Sequence, residues 1–146
     1  MVKEGQSIPK FELKDSNNNI FTDKDLTGKK CVIYFYSEDF SPGCTTEADE
    51  FTKKFEQFQN AEIVIIGISK DSQESHQKFC NQQKIPYTIL SDSDSEVAKK
   101  FGAWGIKGFS MSTLRNTYLI NESGNIFKIF KEVDPNGHAL EVLEAF

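Results

Sequence analysis

The sequence is short of the residues that build extracellular scaffolds and metal centres. It has three cysteines, Cys31, Cys44 and Cys80, and two histidines in 146 residues. An odd, low cysteine count excludes a disulfide-scaffold protein. Two histidines, no Cys-x-x-Cys and no carboxylate–His pairing at ligand spacing leave no metal signature. Positive charge is also scarce: 17 Lys plus Arg against 22 Asp plus Glu give −5. That balance argues against a duplex-binding module, which carries a basic footprint. The longest apolar runs, residues 31–36 and 63–68, are far too short to span a bilayer. The start, Met1-Val2-Lys3-Glu4-Gly5-Gln6, has no apolar h-region. No secretory signal or membrane association is therefore expected, and a reducing cytoplasm is the expected compartment. Repeats, low-complexity stretches and a Gly-rich phosphate loop after a strand are missing too. Asp92-Ser93-Asp94-Ser95-Glu96 lacks the Gly and twelfth-position Glu of a calcium loop, so it reads as a turn and helix cap.

What is present suits one domain over residues 1–146. Leu, Ile, Val and Phe total 39 of 146 residues. That is about 27%, above the roughly 20% below which disorder is the better expectation. Residues 11–14 alternate, and Asp15-Ser16-Asn17-Asn18-Asn19 turns them into a short hairpin returning through Ile20-Phe21. Residues 31–36 and 63–69 are continuous β-favouring runs, as in central strands covered on both faces. Between them Cys44, Ala48, Phe51, Phe55 and Phe58 follow i, i+4, i+7, i+11, i+14, a helical stripe entered through Pro42-Gly43. A second helix is expected from a Ser72 cap to about Gln83, with His76, Phe79 and Cys80 on one face. Residues 87–90 read as a strand, 95–101 as a short helix, and 117–120 with 126–130 as a hairpin. A last helix spans about 137–146, with Leu140 and Leu143 inward. Strands alternating with helices and a terminal hairpin indicate an α/β sandwich. Residues 102–116 read as a long Gly-punctuated connection whose apolar side chains either line a site or tuck onto the core.

Two cysteines invite a chemical reading. Cys44 opens the striped helix, where the helix dipole and unpaired N–H groups favour a thiolate over a thiol. On position alone it is either a nucleophile or the first apolar residue of the stripe. Ser41, three residues earlier, carries a hydroxyl able to reach a ligand of Cys44. Cys31 opens a buried strand and reads as a small hydrophobe. His76, one turn before Cys80, reads as solvated, with a role in activating Cys80 as the alternative.

The segment Phe35-Tyr36-Ser37-Glu38-Asp39-Phe40-Ser41-Pro42-Gly43-Cys44-Thr45-Thr46-Glu47-Ala48 resembles the active-site segment of peroxiredoxins. It is most similar to the bacterioferritin-comigratory-protein, or PrxQ, branch, whose motif is Pro-x-x-x-Thr-x-x-Cys. Residues 5–15, 65–71, 76–79, 85–92 and 115–120 are similar to further segments of that family. The resemblance implies a thioredoxin-like α/β fold of the peroxiredoxin type: a central mixed sheet flanked by helices, with an N-terminal hairpin. It implies that Cys44 is the peroxidatic cysteine and that Arg115 holds its thiolate. Ser41 stands where the family has Thr, so a hydroxyl is kept. Ser37 stands where the family has Pro, so a rigid wall beside the thiolate is lost. Pro42 and Glu47 are supporting residues; Glu47 orients backbone or Arg115, or is only a first-turn acid.

The resolving cysteine usual in this branch, five residues after the peroxidatic one, is replaced by Asp49. A subset resolves from the next helix, and Cys80, at 80 − 44 = 36 residues on, matches that placement. The implied activity is reduction of hydrogen peroxide or alkyl hydroperoxides through a Cys44 sulfenic acid. Cys80 closes an intramolecular disulfide, and thioredoxin or a similar dithiol reopens it. No cofactor is implied, and the branch is often monomeric, with a dimer open through exposed Phe40, Trp104 or Phe109. The rivals are a one-cysteine peroxidase with a structural Cys80, a disulfide oxidoreductase lacking its Cys-x-x-Cys and proline, a non-catalytic thiol sensor, and a purely structural interaction domain.

Overall fold

The computed structural model describes residues 2–146. The chain begins with a hairpin, β1 (Glu12–Asp15) and β2 (Ile20–Thr22), closed by a short 3-10 turn at Asp23–Leu26. Then come β3 (Lys30–Phe35), α1 (Pro42–Lys53), α2 (Phe55–Asn60), β4 (Ile63–Ser69), α3 (Gln73–Gln83), β5 (Thr88–Ser91) and α4 (Glu96–Phe101). A second hairpin, β6 (Trp104–Lys107) and β7 (Ser110–Thr113), precedes β8 (Thr117–Ile120), β9 (Ile126–Phe130) and α5 (His138–Ala145).

Seven strands form one mixed sheet in the order β2-β1-β5-β4-β3-β8-β9. β3 runs parallel to β4 and antiparallel to β8. Alternate residues of β3 point to opposite faces, and both faces are buried. Cys31, Ile33 and Phe35 pack with Phe11, Leu26, Val97 and Phe101 on one side. Val32, Tyr34 and the following Tyr36 pack with Cys44, Ala48, Phe51, Phe79 and Val142 on the other. The sheet thus separates α4 and the N-terminal segment from α1, α2, α3 and α5. Tyr34 stacks on Phe51 with ring centroids 4.8 Å apart. Its hydroxyl meets that of Tyr87 at 2.7 Å, so a buried polar pair is satisfied inside the aromatic cluster.

Five expectations need correction. The striped helix breaks at Lys54 into α1 and α2. The Thr52 hydroxyl back-bonds to the Ala48 carbonyl, a contact of the kind that bends a helix, and the Tyr87 hydroxyl donates to the same oxygen. Residues 102–116 are a hairpin rather than an unstructured connection. Gly108, at φ 68°, takes the first central position of its two-residue turn, where a tight hairpin needs positive φ. On α5 the inward residues are His138, Ala139 and Val142, whereas Leu140 is exposed. His76, read as solvated, is fully buried. Phe40 and Phe109 are exposed, as expected, but Trp104 is half-buried. Among the described residues no helix is long and apolar enough to cross a membrane.

One position tests the packing of β4. A Cβ on Gly67 would stand 2.7 Å from Ile89 Cδ1 and 3.0 Å from the Tyr34 ring. Gly67→Ala is expected to cost about 1–3 kcal/mol through overpacking. A urea melt reads it, and an unchanged midpoint refutes it.

Candidate active site

Strand order brings three chain ends together. β3 and β4 are parallel, with Phe35 opposite Ile68, so their C-terminal ends share one edge. Thr117, the start of β8, lies opposite Tyr34. The segment after β3 and the residue before β8 therefore meet at that edge. The first carries Ser37, Ser41 and Cys44; the second carries Arg115.

α1 starts at Pro42, whose missing N–H is no loss in a first turn. Ser41 is its N-cap in extended backbone, but its side chain does not cap; the hydroxyl donates to the Glu38 carbonyl at 3.2 Å. Cys44 follows on the inner face, 1% exposed. Its Sγ lies 3.4 Å from Ser37 Oγ and 3.4 Å from Arg115 Nη1. Burial alone pushes this thiol up. The Glu38 backbone, the Ser37 and Ser41 hydroxyls and the Arg115 charge together outweigh it, and the pKa falls below 9.0.

Arg115 is itself held from several directions. Nη1 donates to Glu47 Oε1 at 3.1 Å, and the Arg115 carbonyl accepts from Val133 N at 2.9 Å. Its neighbour Asn116 is buried and tied to Gly102, Tyr118 and Glu132. Gly43 makes room for the guanidinium, since a Cβ there would stand 2.9 Å from Arg115 Nη2. Glu47 is fully buried, and its Oε2 has no hydrogen-bond partner. Burial drives its carboxyl up to about 7 despite the pull of Arg115. The orphaned oxygen agrees with that direction.

The structure therefore brings Cys44, Ser37, Ser41, Pro42, Glu47 and Arg115 into one site. Cys80 is placed elsewhere, on α3. It is half-buried and borders a polar groove with Asp15, Ser16, Gln77 and Tyr87. Burial, with Asp39 and Asp15 adding to it, pushes its thiol up to about 11 against a Ser16 hydrogen bond. Cys31 is pushed up by burial to about 12. All three cysteines are free thiols.

Sequence reasoning passed over Gly43 and Asp39. Asp39 is buried and accepts from Tyr36 Oη at 2.7 Å and Ser75 Oγ at 2.8 Å; its Oδ2 is 2.7 Å from His76 Nδ1. The available signal was the helical face shared by His76, Phe79 and Cys80, which points inward. Asp39, Asp71 and His76 place ligand-type atoms within 4.8 Å of one another. Each is already engaged: Asp71 Oδ2 accepts from Asp39 N and Ser69 Oγ, and His76 Nε2 meets the Leu90 carbonyl.

Residues 5–129 match the AhpC/TSA family. A putative peroxiredoxin bcp of Helicobacter pylori strain J99 is 39% identical, over 99% of this chain and 97% of that protein. The chain belongs to the AhpC/TSA family, in its Bcp and peroxiredoxin Q branch. A solved Xylella fastidiosa PrxQ mutant superposes with a TM-score of 0.95 at 31% identity, covering 99% of this chain and 95% of that one. A solved Xanthomonas campestris peroxiredoxin Q mutant gives 0.89 at 32%, covering 92% and 88%. These neighbours share the thioredoxin-like fold of peroxiredoxins, and membership is consistent with thiol peroxidase activity.

Two outcomes test the geometry. Gly43→Ala displaces the flexible end of Arg115, so the Cys44 pKa rises while the melting midpoint changes little. Ultraviolet titration of the thiolate reads it, and an unmoved titration refutes the placement. Glu47 binds its proton more tightly folded than unfolded, so it lowers stability increasingly as pH rises from about 4.5 to about 7. Glu47→Gln removes that slope. The variant's stability relative to the parent is expected to climb through this window by on the order of 1–3 kcal/mol. A pH-independent difference in denaturant melts refutes it.

Proposed function

We propose that residues 1–146 act as one cytoplasmic peroxiredoxin domain in which Cys44 is the peroxidatic nucleophile. The observation that carries this is a buried Cys44 sulfur met by Ser37 Oγ and Arg115 Nη1, each at 3.4 Å. The thiolate attacks one oxygen of a hydroperoxide. The S–O bond forms, the O–O bond breaks, and the leaving oxygen takes a proton and departs as water or alcohol. Sulfur is oxidised by two electrons and the peroxide reduced by two. Arg115 stabilises charge as it moves from sulfur to oxygen, and Ser41 offers a hydroxyl to the peroxide. The first-turn N–H groups, left without a side-chain cap, are further donors.

Cys80 then attacks the Cys44 sulfenic acid as a thiolate. The S–S bond forms, the S–O bond breaks, and hydroxide leaves to be protonated. An external dithiol, thioredoxin or a similar one, reduces the disulfide by exchange. One spacing supports this step. Two solved forms of the Xanthomonas protein carry cysteine-to-serine changes 36 positions apart (84 − 48), the separation of Cys44 and Cys80 here. A Xanthomonas campestris bacterioferritin comigratory protein is described with alkyl peroxide reduction activity, which supports organic hydroperoxides beside hydrogen peroxide as substrates.

A one-cysteine route is the second reading, favoured by the placement of Cys80 at the Ser16 groove rather than in the Cys44 pocket. Peroxide consumption with thioredoxin and its reductase is expected for the parent and lost in Cys44→Ser; turnover surviving that change refutes the proposal. After one equivalent of peroxide, a non-reducing peptide mass map is expected to show a Cys44–Cys80 linkage. Sulfenic acid on Cys44 without that linkage selects the one-cysteine route.

A further inference from the structure

The β6–β7 hairpin stands apart from the seven-stranded sheet and carries an open apolar side. Its two strands pair only with each other. Alternation along β6 puts Trp104 and Ile106 on one side and Gly105 and Lys107 on the other. Ile106 lies opposite Met111, and Trp104 opposite Thr113, so both strands contribute to each side. Toward the tip the first side is apolar and open to solvent. Ile106 is 74% exposed, Met111 is 48% exposed, and Phe109, in the turn, is wholly exposed. The second side is Gly105, Lys107, Ser110 and Ser112, small or polar throughout. Clustered apolar side chains in water mark a contact surface, whereas single ones do not.

Charge says what meets that side. Residues 97–121 contain no Asp or Glu, the longest such stretch of the chain, and hold Lys99, Lys100, Lys107 and Arg115. Every acidic residue of a chain with net charge −5 therefore lies outside this stretch. Arg115 is taken up by Cys44 and Glu47, but the three lysines are exposed. Lys99 Nζ lies 5.8 Å from the centre of the Trp104 ring, and Lys107 flanks the turn. Lys99 also meets Glu96 at 3.3 Å, an exposed pair of small worth. Among the described residues Lys107 forms no ion pair. Apolar side chains at a turn, a tryptophan behind them and lysines beside both suit the boundary of an anionic bilayer. There the apolar groups enter the headgroup region, the indole sits at its level, and lysines reach the phosphates. A specific protein partner would bury roughly 800 Å² on each side, which is large against three side chains at a tight turn. Two copies meeting hairpin to hairpin would oppose lysine to lysine.

We propose that the β6–β7 hairpin docks on an anionic lipid surface, with Ile106, Phe109 and Met111 entering the headgroup boundary and Lys99 and Lys107 meeting lipid phosphates. The attachment is peripheral and reversible, not a span. It departs from the expectation of no membrane association, which was drawn from the short apolar runs. It does not rest on the peroxidase reading. Where both hold, the docked hairpin leads in six residues from Phe109 to Arg115. At most about 20 Å of chain then separates the lipid surface from the Cys44 site.

Trp104 is the only tryptophan of the chain, so its emission reports on this hairpin alone. The full chain, reduced, is mixed with vesicles of phosphatidylcholine alone, or of phosphatidylcholine and phosphatidylglycerol in equal parts. Association is read by co-flotation and by Trp104 emission. The parent is expected to float with the mixed vesicles at low salt, with its emission shifted to the blue. It is expected to be largely released at about 1 M salt, where the screening length falls to about 3 Å. Phe109→Ser is expected to weaken partitioning about tenfold, and Lys107→Gln about fivefold. Both variants keep the parent's melting midpoint, because both residues are exposed. No flotation of the parent with the mixed vesicles overturns the proposal. Equal flotation with phosphatidylcholine alone overturns it too, as does flotation undiminished by Phe109→Ser, which assigns the binding to diffuse charge. A concentration-dependent dimer lost in Phe109→Ser, without vesicle binding, gives the hairpin to a second copy and overturns the lipid reading. Binding to polyglutamate but not to the mixed vesicles gives it to an acidic protein, with the same result.

Discussion

A sulfur buried to 1% exposure carries negative charge only where fixed donors and a cation meet it, and much of this structure follows from meeting that need at Cys44. The cation is Arg115, far away in sequence, and it needs its own anchorage. Val133 fixes its carbonyl, Asn116 fixes the turn beside it, and Gly43 leaves space for its guanidinium. Glu47 closes the chain of dependence. It binds Arg115 through one oxygen and leaves the other without a partner, so the pair is a compromise between orientation and solvation.

The sheet makes this meeting geometrically cheap. β3, β4 and β5 are parallel and end on one edge, while the antiparallel β8 starts there. The segment after β3 brings donors, the residue before β8 brings charge, and the turn after β4 brings Asp71. Each arrives on a strand buried on both faces, so the site hangs from the most tightly packed part of the molecule. The β1–β2 hairpin and α4 lie away from it and serve the opposite core.

The parts legible in the sequence are those where local pattern and tertiary role agree. Residues 31–36 and 63–69 read as buried strands because both faces are covered, and the Cys44 stripe read as a helix facing the core. The Pro42-Gly43-Cys44 junction and the family motif around it located the site segment, and the separate resemblance of residues 115–120 singled out Arg115. What escaped depended on partners distant in sequence. His76 is polar by type but lies on the inward face of α3, and Asp39, the Leu90 carbonyl and the Tyr36 hydroxyl make its burial tolerable. The break at Lys54 leaves no mark in the apolar spacing, which runs on unbroken from α1 into α2. The β6–β7 hairpin was hidden because its tip residues, Ile106, Phe109 and Met111, are apolar yet exposed. Its glycines read as loop punctuation when one of them is the turn itself.

The three cysteines show why burial by itself says little about reactivity. Desolvation is the largest influence on each, and in each it opposes the thiolate. Cys31 has nothing to offset it in the middle of the sheet. Cys80 has one hydroxyl, from Ser16, set against the charges of Asp39 and Asp15. Cys44 alone collects a backbone group, two hydroxyls and a guanidinium. The same asymmetry bears on the proposed second step. In the groove, Cys80 is held as a thiol, and a thiol is a poor nucleophile toward a sulfenic acid. Movement that brings the two sulfurs together must therefore also change the surroundings of Cys80. The proposed second step therefore asks Cys80 to lose its proton as well as to meet Cys44.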